Sequence, residues 1–174
     1  MLSLDRITAT LANVNLRTEL HGEDREPAAD LKFESRIGND VLAHFHPSLK
    51  SALYVRGADG DLADQGMPDA LLVRRFGDAL GPLKWAMEIV GCTLTVHHGI
   101  SERSDVVLPD ATADSFVLEV QEGGQVDITF RVRAHPVARQ VAVLYEQQRE
   151  SVEISLEPPS ADEAEMYDEE EQEA

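Results

Sequence analysis

The sequence predicts an α+β protein built mainly from antiparallel β-strands that form a barrel or sandwich, with two short helices and a disordered acidic tail. Several segments alternate apolar and polar residues with a period of two, and two others have a helical period. The last residues are almost all acidic. A chain of 174 residues suits one domain. We therefore expect a globular domain at residues 1–157 and a tail at residues 158–174.

The alternating segments predict strands that have one buried face. Segment 30–37 places Leu31, Phe33 and Ile37 on one side, and residues 151–157 close the domain in the same way. Residues 115–134 predict a β-hairpin, because two alternating runs flank a pair of glycines. The inward residues of its second run are Val126, Ile128, Phe130, Val132 and Ala134.

Two longer segments, 6–20 and 83–98, change phase midway, near Asn13 and near Gly91. A β-bulge explains each change, because it inserts one residue and bends the strand. Long bent strands are typical of a small OB-like barrel or a sandwich. The inward residues expected in the first segment are Ile7, Ala9, Leu11, Val14, Leu16 and Leu20. Those expected in the second are Leu83, Trp85, Met87, Ile89, Cys92, Leu94 and Val96.

Helical period occurs at residues 39–54 and again from Pro136 onward. Pro47 is expected to divide the first helix into two short pieces, because proline removes a backbone donor and clashes with the preceding turn. Residues 57–81 contain five glycines and little periodicity. They predict a long excursion with a short strand at Leu71–Arg74.

The expected compartment is the cytoplasm. Cys92 is the single cysteine, so an intramolecular disulfide is excluded. Asp5 and Arg6 interrupt the apolar run that a secretory signal would need. No segment reaches the roughly 20 apolar residues of a membrane span, so we expect no membrane partner.

No motif predicts an enzyme, a cofactor or a metal site. His97 and His98 are adjacent on a strand and point to opposite faces, so they cannot chelate one ion together. Cys92 is in phase with core residues, which favours a small buried side chain over a nucleophile. A site assembled from His21 or His135 with a carboxylate remains an alternative without support from spacing. We therefore expect a non-enzymatic protein.

The net charge is −18, of which residues 158–174 carry −8 and residues 1–157 carry −10. An acidic body attracts a polyanion only where its bases cluster. Arg131 and Arg133 share the outward face of one predicted strand, and Lys32 and Arg36 share that of another. The candidate nucleic-acid-binding residues are Lys32, Arg36, Arg74, Arg75, Lys84, Arg131 and Arg133. The alternative is that these bases only pair with Glu34, Glu119 and Asp127 across the strands.

A β-rich body followed by the acidic C-terminus "ADEAEMYDEEEQEA" resembles the single-stranded-DNA-binding proteins of bacteria and bacteriophages. The resemblance implies that the tail competes with DNA for the body and recruits a replication or recombination protein. It departs at Ala174, where tails of that family end on an apolar or aromatic anchor, and no aromatic stacking platform is evident. The implied partner-binding residues are Met166, Tyr167, Asp168, Glu169, Glu170 and Glu171.

The leading hypothesis is a phage- or prophage-encoded protein that binds single-stranded DNA. The alternative from another class is an acidic protein-interaction or DNA-mimic protein, which would occupy the basic groove of a partner. A structural virion component is a third hypothesis, and a homo-oligomer is compatible with each of them. The sequence leaves open the partner, the oligomeric state and whether the bases form one stripe.

Overall fold

Antiparallel strands dominate the computed structural model, which describes residues 2–21, 24–57, 71–99 and 104–160. In chain order the strands are β1 (Leu4–His21), β2 (Asp24–Gly38), β3 (Tyr54–Arg56), β4 (Leu71–Arg74), β5 (Leu83–Trp85), β6 (Ile89–His97), β7 (Val106–Gln121), β8 (Gln125–Ala134) and β9 (Ser151–Glu157). The helices are α1 (Leu42–Phe45), α2 (Leu49–Leu53) and α3 (Ala138–Glu146), with 3-10 turns at Asn39–Val41 and Gly77–Ala79.

Six of the strands close a barrel in the order β1, β2, β8, β7, β6, β9, and β9 pairs again with β1. Every pairing is antiparallel. The predicted fold class is confirmed, and of its two architectures the chain forms the barrel. The prediction of a disordered tail falls on residues 158–174, of which 161–174 lie outside the described residues.

The barrel interior is filled by the predicted inward residues of β2, β7, β8 and β9. Aromatic rings run through it, because Phe130 stacks on Phe33 with ring centroids 5.5 Å apart and on Phe116 at 5.7 Å. Phe45 of α1 meets Phe116 edge to face at 5.5 Å. All four rings are buried, so they tie α1 to three strands of the barrel.

The turn between β7 and β8 is where the barrel meets β3 and β4. The N–H groups of Gly123 and Gly124 donate to the carbonyl oxygen of Leu72, at 3.1 and 3.2 Å. Both glycines have a positive φ, and a Cβ on Gly124 would lie 2.5 Å from Leu72 Cδ2. Gly124 is therefore required both by its backbone conformation and by the close approach of β4. The predicted hairpin turn and the predicted strand at Leu71–Arg74 are confirmed.

The two predicted helical segments are confirmed, and Pro47 divides the first of them into α1 and α2 as expected, so the described chain has three short α-helices. The buried residues Leu42, Phe45 and Leu53 join these two helices to the core. At the far end of β8 the chain enters α3, which contributes the buried Leu144. Within the described residues, no helix combines the length and apolar character that crossing a bilayer requires.

Both predicted phase changes are confirmed as register shifts. The pairing of β1 with β2 slips between Leu11 and Asn13, and that of β6 with β7 slips on either side of Cys92. The expectation of one continuous strand over residues 83–98 is wrong, because residues 86–88 separate β5 from β6. The break lies opposite Ser115 of β7. Ser115 has a φ of 57°, and the pairing of β7 with β8 shifts register there.

The end of the β1–β2 hairpin extends beyond the barrel, and we call this part the arm (residues 14–20 of β1 and 25–28 of β2). β9 pairs with β1 only from Leu4 to Thr10, and β8 pairs with β2 only from Ala29 onward. Leu16 and Leu20, expected inward, are 42% and 69% exposed. That expectation is wrong, because within the described residues β8 and β9 do not extend along the arm, so this face lies outside the barrel interior.

Candidate nucleic-acid interface

Four adjacent strands, β1, β2, β8 and β7, present their outward side chains as one surface, which we call the outer face. Strand register places Lys32 directly opposite Arg131, and Arg131 opposite Asp114. One step along, Asp30 lies opposite Arg133. Three of the predicted bases, Lys32, Arg131 and Arg133, are therefore brought together, because β2 and β8 are neighbours in the barrel.

A hollow of about 350 Å³ lies on the outer face beside Lys32 and Arg131, and we call it the barrel groove. Its volume is in the range of small-ligand pockets. The bulges near Asn13 and at Ser115 bend two of the strands that border it. The lining residues are Asn13, Asn15, Asp30, Lys32, Ser115, Thr129, Phe130 and Arg131.

Asp114 holds both arginines of this surface. Arg131 donates to its carboxylate from Nε and Nη2, at 2.8 and 2.9 Å, and Arg133 Nε lies 3.0 Å from Oδ2. Burial raises the pKa of Asp114, but hydrogen bonds from Arg131 and Ser115 and the charges of both arginines outweigh it, so the pKa falls below its ordinary value. Arg133 also pairs with Glu88. The positive charge near the barrel groove is thus largely balanced.

Each base of this group nevertheless keeps an accessible side chain. The exposed fractions of Lys32, Arg131 and Arg133 are 51%, 43% and 39%. A guanidinium carries five N–H donors, and Arg131 uses two of them on Asp114. The remaining donors of Arg131 can contact a phosphate without breaking that ion pair.

The other end of the outer face is acidic. Arg36 there donates to both oxygens of Asp127, at 2.6 and 2.7 Å, and this pairing lowers the pKa of Asp127. Glu34 and Glu119 line a second hollow there, together with Arg36 and Asp127. Lys32 lies 2.8 Å from Glu34. The predicted alternative, in which strand bases pair with strand acids, therefore describes much of this surface. Arg36 shares the face with Lys32 but lies in an acidic setting.

The remaining predicted bases lie in two other places. Arg74 pairs with Asp78 at 2.7 Å and with Glu122 at 2.8 Å, near the β7–β8 turn. Arg75 donates to two backbone carbonyl groups of α2, so its role there is to hold β4. Lys84 of β5 lies opposite Val117, whose partner on β8 is Thr129, so it borders the outer face. No ion pair joins Lys84 to a residue that the structure describes.

Aromatic side chains contribute little to this surface. Among the described aromatic residues, Phe76 and Tyr145 are the exposed ones, and neither belongs to a strand of the outer face. Phe130 borders the barrel groove but is buried. Among the described residues, the outer face therefore offers basic and hydrogen-bonding groups and lacks an aromatic stacking platform. The predicted partner-binding residues Met166, Tyr167, Asp168, Glu169, Glu170 and Glu171 lie outside the described residues.

A Ser–His–Asp cluster lies away from the outer face, and sequence reasoning missed it. His97 Nδ1 is 2.8 Å from Asp105 Oδ2, and its Nε2 is 2.9 Å from Ser155 Oγ. A hydrogen bond from the His98 N–H, followed by the partnership with His97, lowers the pKa of Asp105. Ser155 comes 58 residues after His97, and no spacing rule connects them. Only the pairing of β6 with β9 brings them together.

This cluster has the connectivity of a nucleophile, a base and an orienting acid, but its surroundings favour a structural role. Ser155 is 6% exposed, and its Oγ accepts a hydrogen bond from the Arg6 N–H at 3.1 Å. That N–H points at the nucleophile position itself, not at a place where an oxyanion would form. The cluster satisfies every polar atom that it buries and joins β9, β6 and the start of β1.

The described residues contain no group of three or more histidine, cysteine or acidic side chains that could hold a metal ion. His135 pairs with Glu19 at 2.9 Å, and the side chain of His21 lies outside the described part of the structure. Cys92 is buried, as expected, and burial raises the pKa of its thiol to about 11.

Comparison of the chain with protein-family models, with curated proteins and with solved structures finds no match.

Proposed function

We propose that this chain is a non-enzymatic protein that binds single-stranded DNA on the outer face of its barrel. The observation that carries the proposal is the register that gathers Lys32 and Arg131 at the barrel groove, with Arg133 one step along β8. These bases are accessible. The groove also has neutral hydrogen-bonding side chains, which are Asn13, Asn15, Ser115 and Thr129. In a protein whose body carries −10, such a cluster is where a polyanion meets the least repulsion.

The acids on the same surface set the expected strength of binding. Asp114 competes with phosphate for both arginines, so affinity is moderate and sensitive to salt. In this proposed function the acidic segment 158–174 competes with DNA for the same bases, as the resemblance to single-stranded-DNA-binding proteins implies. A chain that ends at Glu157 is then expected to bind more tightly than the full chain, most clearly at low ionic strength.

The test is a salt titration of full-chain binding to a long single-stranded oligonucleotide. Arg131→Ala should weaken binding and lower the slope of log K against log salt by about 0.7, the value for one lost phosphate contact. Arg139→Ala removes one exposed base from α3 and should leave affinity nearly unchanged. Equal losses for the two variants, or no binding of any form at low salt, would contradict the proposal.

Asp114→Asn gives a second, opposite test. It releases Arg131 and Arg133 from their shared acid, so DNA affinity should rise. Asp40→Asn is the matched control, because Asp40 carries the same charge but pairs with Lys50, away from the outer face. A rise with both variants would mean that total charge, not this surface, governs binding.

A second candidate is an acidic adaptor or DNA-mimic protein that occupies a basic groove of another protein. It is favoured by the ion pairs that already occupy Arg36, Arg131 and Arg133. In that case the chain would not bind DNA, and a basic protein captured by the full chain would be released as salt rises.

A further inference from the structure

The arm carries a strand edge without a described partner. Successive residues of a β-strand point their N–H and C=O groups to alternate sides, and β2 satisfies one side of β1. Beyond Asn13, the described backbone pairings of β1 are with β2 alone. An unpaired edge of this length is a template for another strand.

The same segment exposes apolar surface. Leu16 and Leu20 lie on one face of the arm and are 42% and 69% exposed, whereas Val14 on the same face is buried. Thr18 stands between the two leucines and is also exposed. A strand that paired with this edge would cover both leucines if its own apolar residues stood opposite them.

The β1 residues on either side of Thr18 are complementary between two copies of the arm. In an antiparallel pair of two copies with Thr18 opposite Thr18, Leu16 of each copy faces Leu20 of the other. On the opposite face of the strand, Arg17 of each copy faces Glu19 of the other. Within one copy Arg17 already pairs with Glu19 and Asp30, and Glu19 with His135, so the two-fold pair would join two such ion-pair networks. The two-fold axis therefore produces the Leu16–Leu20 pair twice and the Arg17–Glu19 pair twice.

Neighbouring registers lack this match. Centring the pair on Arg17 would oppose two arginines, and centring it on Glu19 would oppose two glutamates, and both are destabilising. Centring it between residues would place a leucine opposite a charged side chain. We propose that a second copy of this chain pairs its β1 arm antiparallel to the first, with Thr18 on the two-fold axis.

This dimer has a geometric consequence that does not depend on what the protein binds. In this register, even-numbered residues face even-numbered residues and odd-numbered residues face odd-numbered ones. The two-fold axis is therefore perpendicular to the sheet, and the outer faces of both copies lie on the same side of the joined sheet. Asn13 of one copy would be separated from Asn13 of the other by about 10 strand positions, or roughly 30 Å. The two barrel grooves would therefore share one continuous surface.

Cysteine cross-linking of the full chain tests the register. Thr18→Cys should form a covalent dimer on mild oxidation, because directly opposed residues have Cα atoms within disulfide range. Cys92 will not interfere, since it is buried and its pKa is about 11. Thr10→Cys is the matched control, an exposed threonine of the same strand that lies between β2 and β9. Equal cross-linking of the two variants would overturn the proposed register.

Sedimentation of the full chain tests the association itself. The wild-type protein should show a concentration-dependent dimer, and Leu20→Asp should shift it to monomer while its melting temperature stays close to that of wild type. Glu19→Arg should weaken the dimer, because it opposes Arg17, and the double variant Arg17→Glu/Glu19→Arg should restore it. A wild-type protein that is monomeric at every concentration would overturn the proposal. So would a Leu20→Asp variant that still forms the dimer.

Discussion

The β7–β8 hairpin and the arm of the β1–β2 hairpin have the same alternating pattern, yet they differ sharply in burial. Val126, Ile128 and Val132 of β8 are fully buried, whereas Leu16 and Leu20 of the arm are largely exposed. The difference arises because β8 has strands on both sides and a closed barrel opposite its inner face. In the arm, the described pairings of β1 and β2 are with each other. An alternating pattern identifies the apolar face of a strand but not what covers it.

The largest expected effect is at Phe130, and it tests the covered side of this comparison. Phe130→Ala removes a ring that stacks on Phe33 and Phe116, so it should cost about 3–5 kcal/mol of unfolding free energy. Leu20→Ala in the arm should cost at most about 0.5 kcal/mol, as expected of an exposed side chain. Urea denaturation of both variants measures the difference. Similar losses would mean that the two hairpins are equally covered.

The turn of the β7–β8 hairpin offers a finer comparison between neighbouring residues. Gly123→Ala and Gly124→Ala both place a side chain at positive φ, which costs about 1–2 kcal/mol. Gly124→Ala should cost more, because its Cβ also meets Leu72 and Asn39, whereas nothing lies within 4 Å of a Cβ on Gly123. Thermal melting of the two variants checks the order. The reverse order would show that β4 does not press on the turn.

Acid should weaken the β7–β8 hairpin through Asp114. Its pKa is lowered in the folded protein, so the carboxylate stabilises the fold above the unfolded-state pKa of about 3.9. That contribution is lost as pH falls through the lower folded-state pKa. Asp114→Asn should cost about 1–2 kcal/mol at neutral pH, because charged hydrogen bonds are lost. The gap in melting temperature from wild type should close in acid, and a constant gap would contradict this.

The smallest effect on the free energy of unfolding is expected at Ser155, in the strand β9 that pairs with the barrel part of β1. Ser155→Ala removes hydrogen bonds to His97 and Arg6 and should cost about 1 kcal/mol. Ser155 should also resist a fluorophosphonate probe, because it is buried and its Oγ is already engaged. Mass spectrometry of the treated full chain checks this. Labelling at Ser155 would indicate a reactive serine and contradict a purely structural cluster.

The local pattern of apolar residues, glycines and proline was sufficient to predict much of the fold. Alternation predicted the inner faces of β2, β8 and β9, and Gly123–Gly124 marked the hairpin turn. Phase changes located the bulges near Asn13 and Gly91, and Pro47 divided the first helix. These features depend on a few neighbouring residues and on the geometry of one strand or turn. Lys32, Arg131 and Arg133 were also identified correctly as outward residues of their strands.

Tertiary structure decided which side chains are neighbours. The sequence alone determined that Lys32, Arg131 and Arg133 point outward. Only the pairing of β8 with β2 and with β7 placed Lys32 beside Arg131 and both arginines beside Asp114. Ser155 and His97 met because β6 pairs with β9. The exposure of Leu16 and Leu20 followed from where β8 and β9 end. Side-chain direction is set by the local backbone, whereas partners and cover are set by strand pairing between residues far apart in the chain.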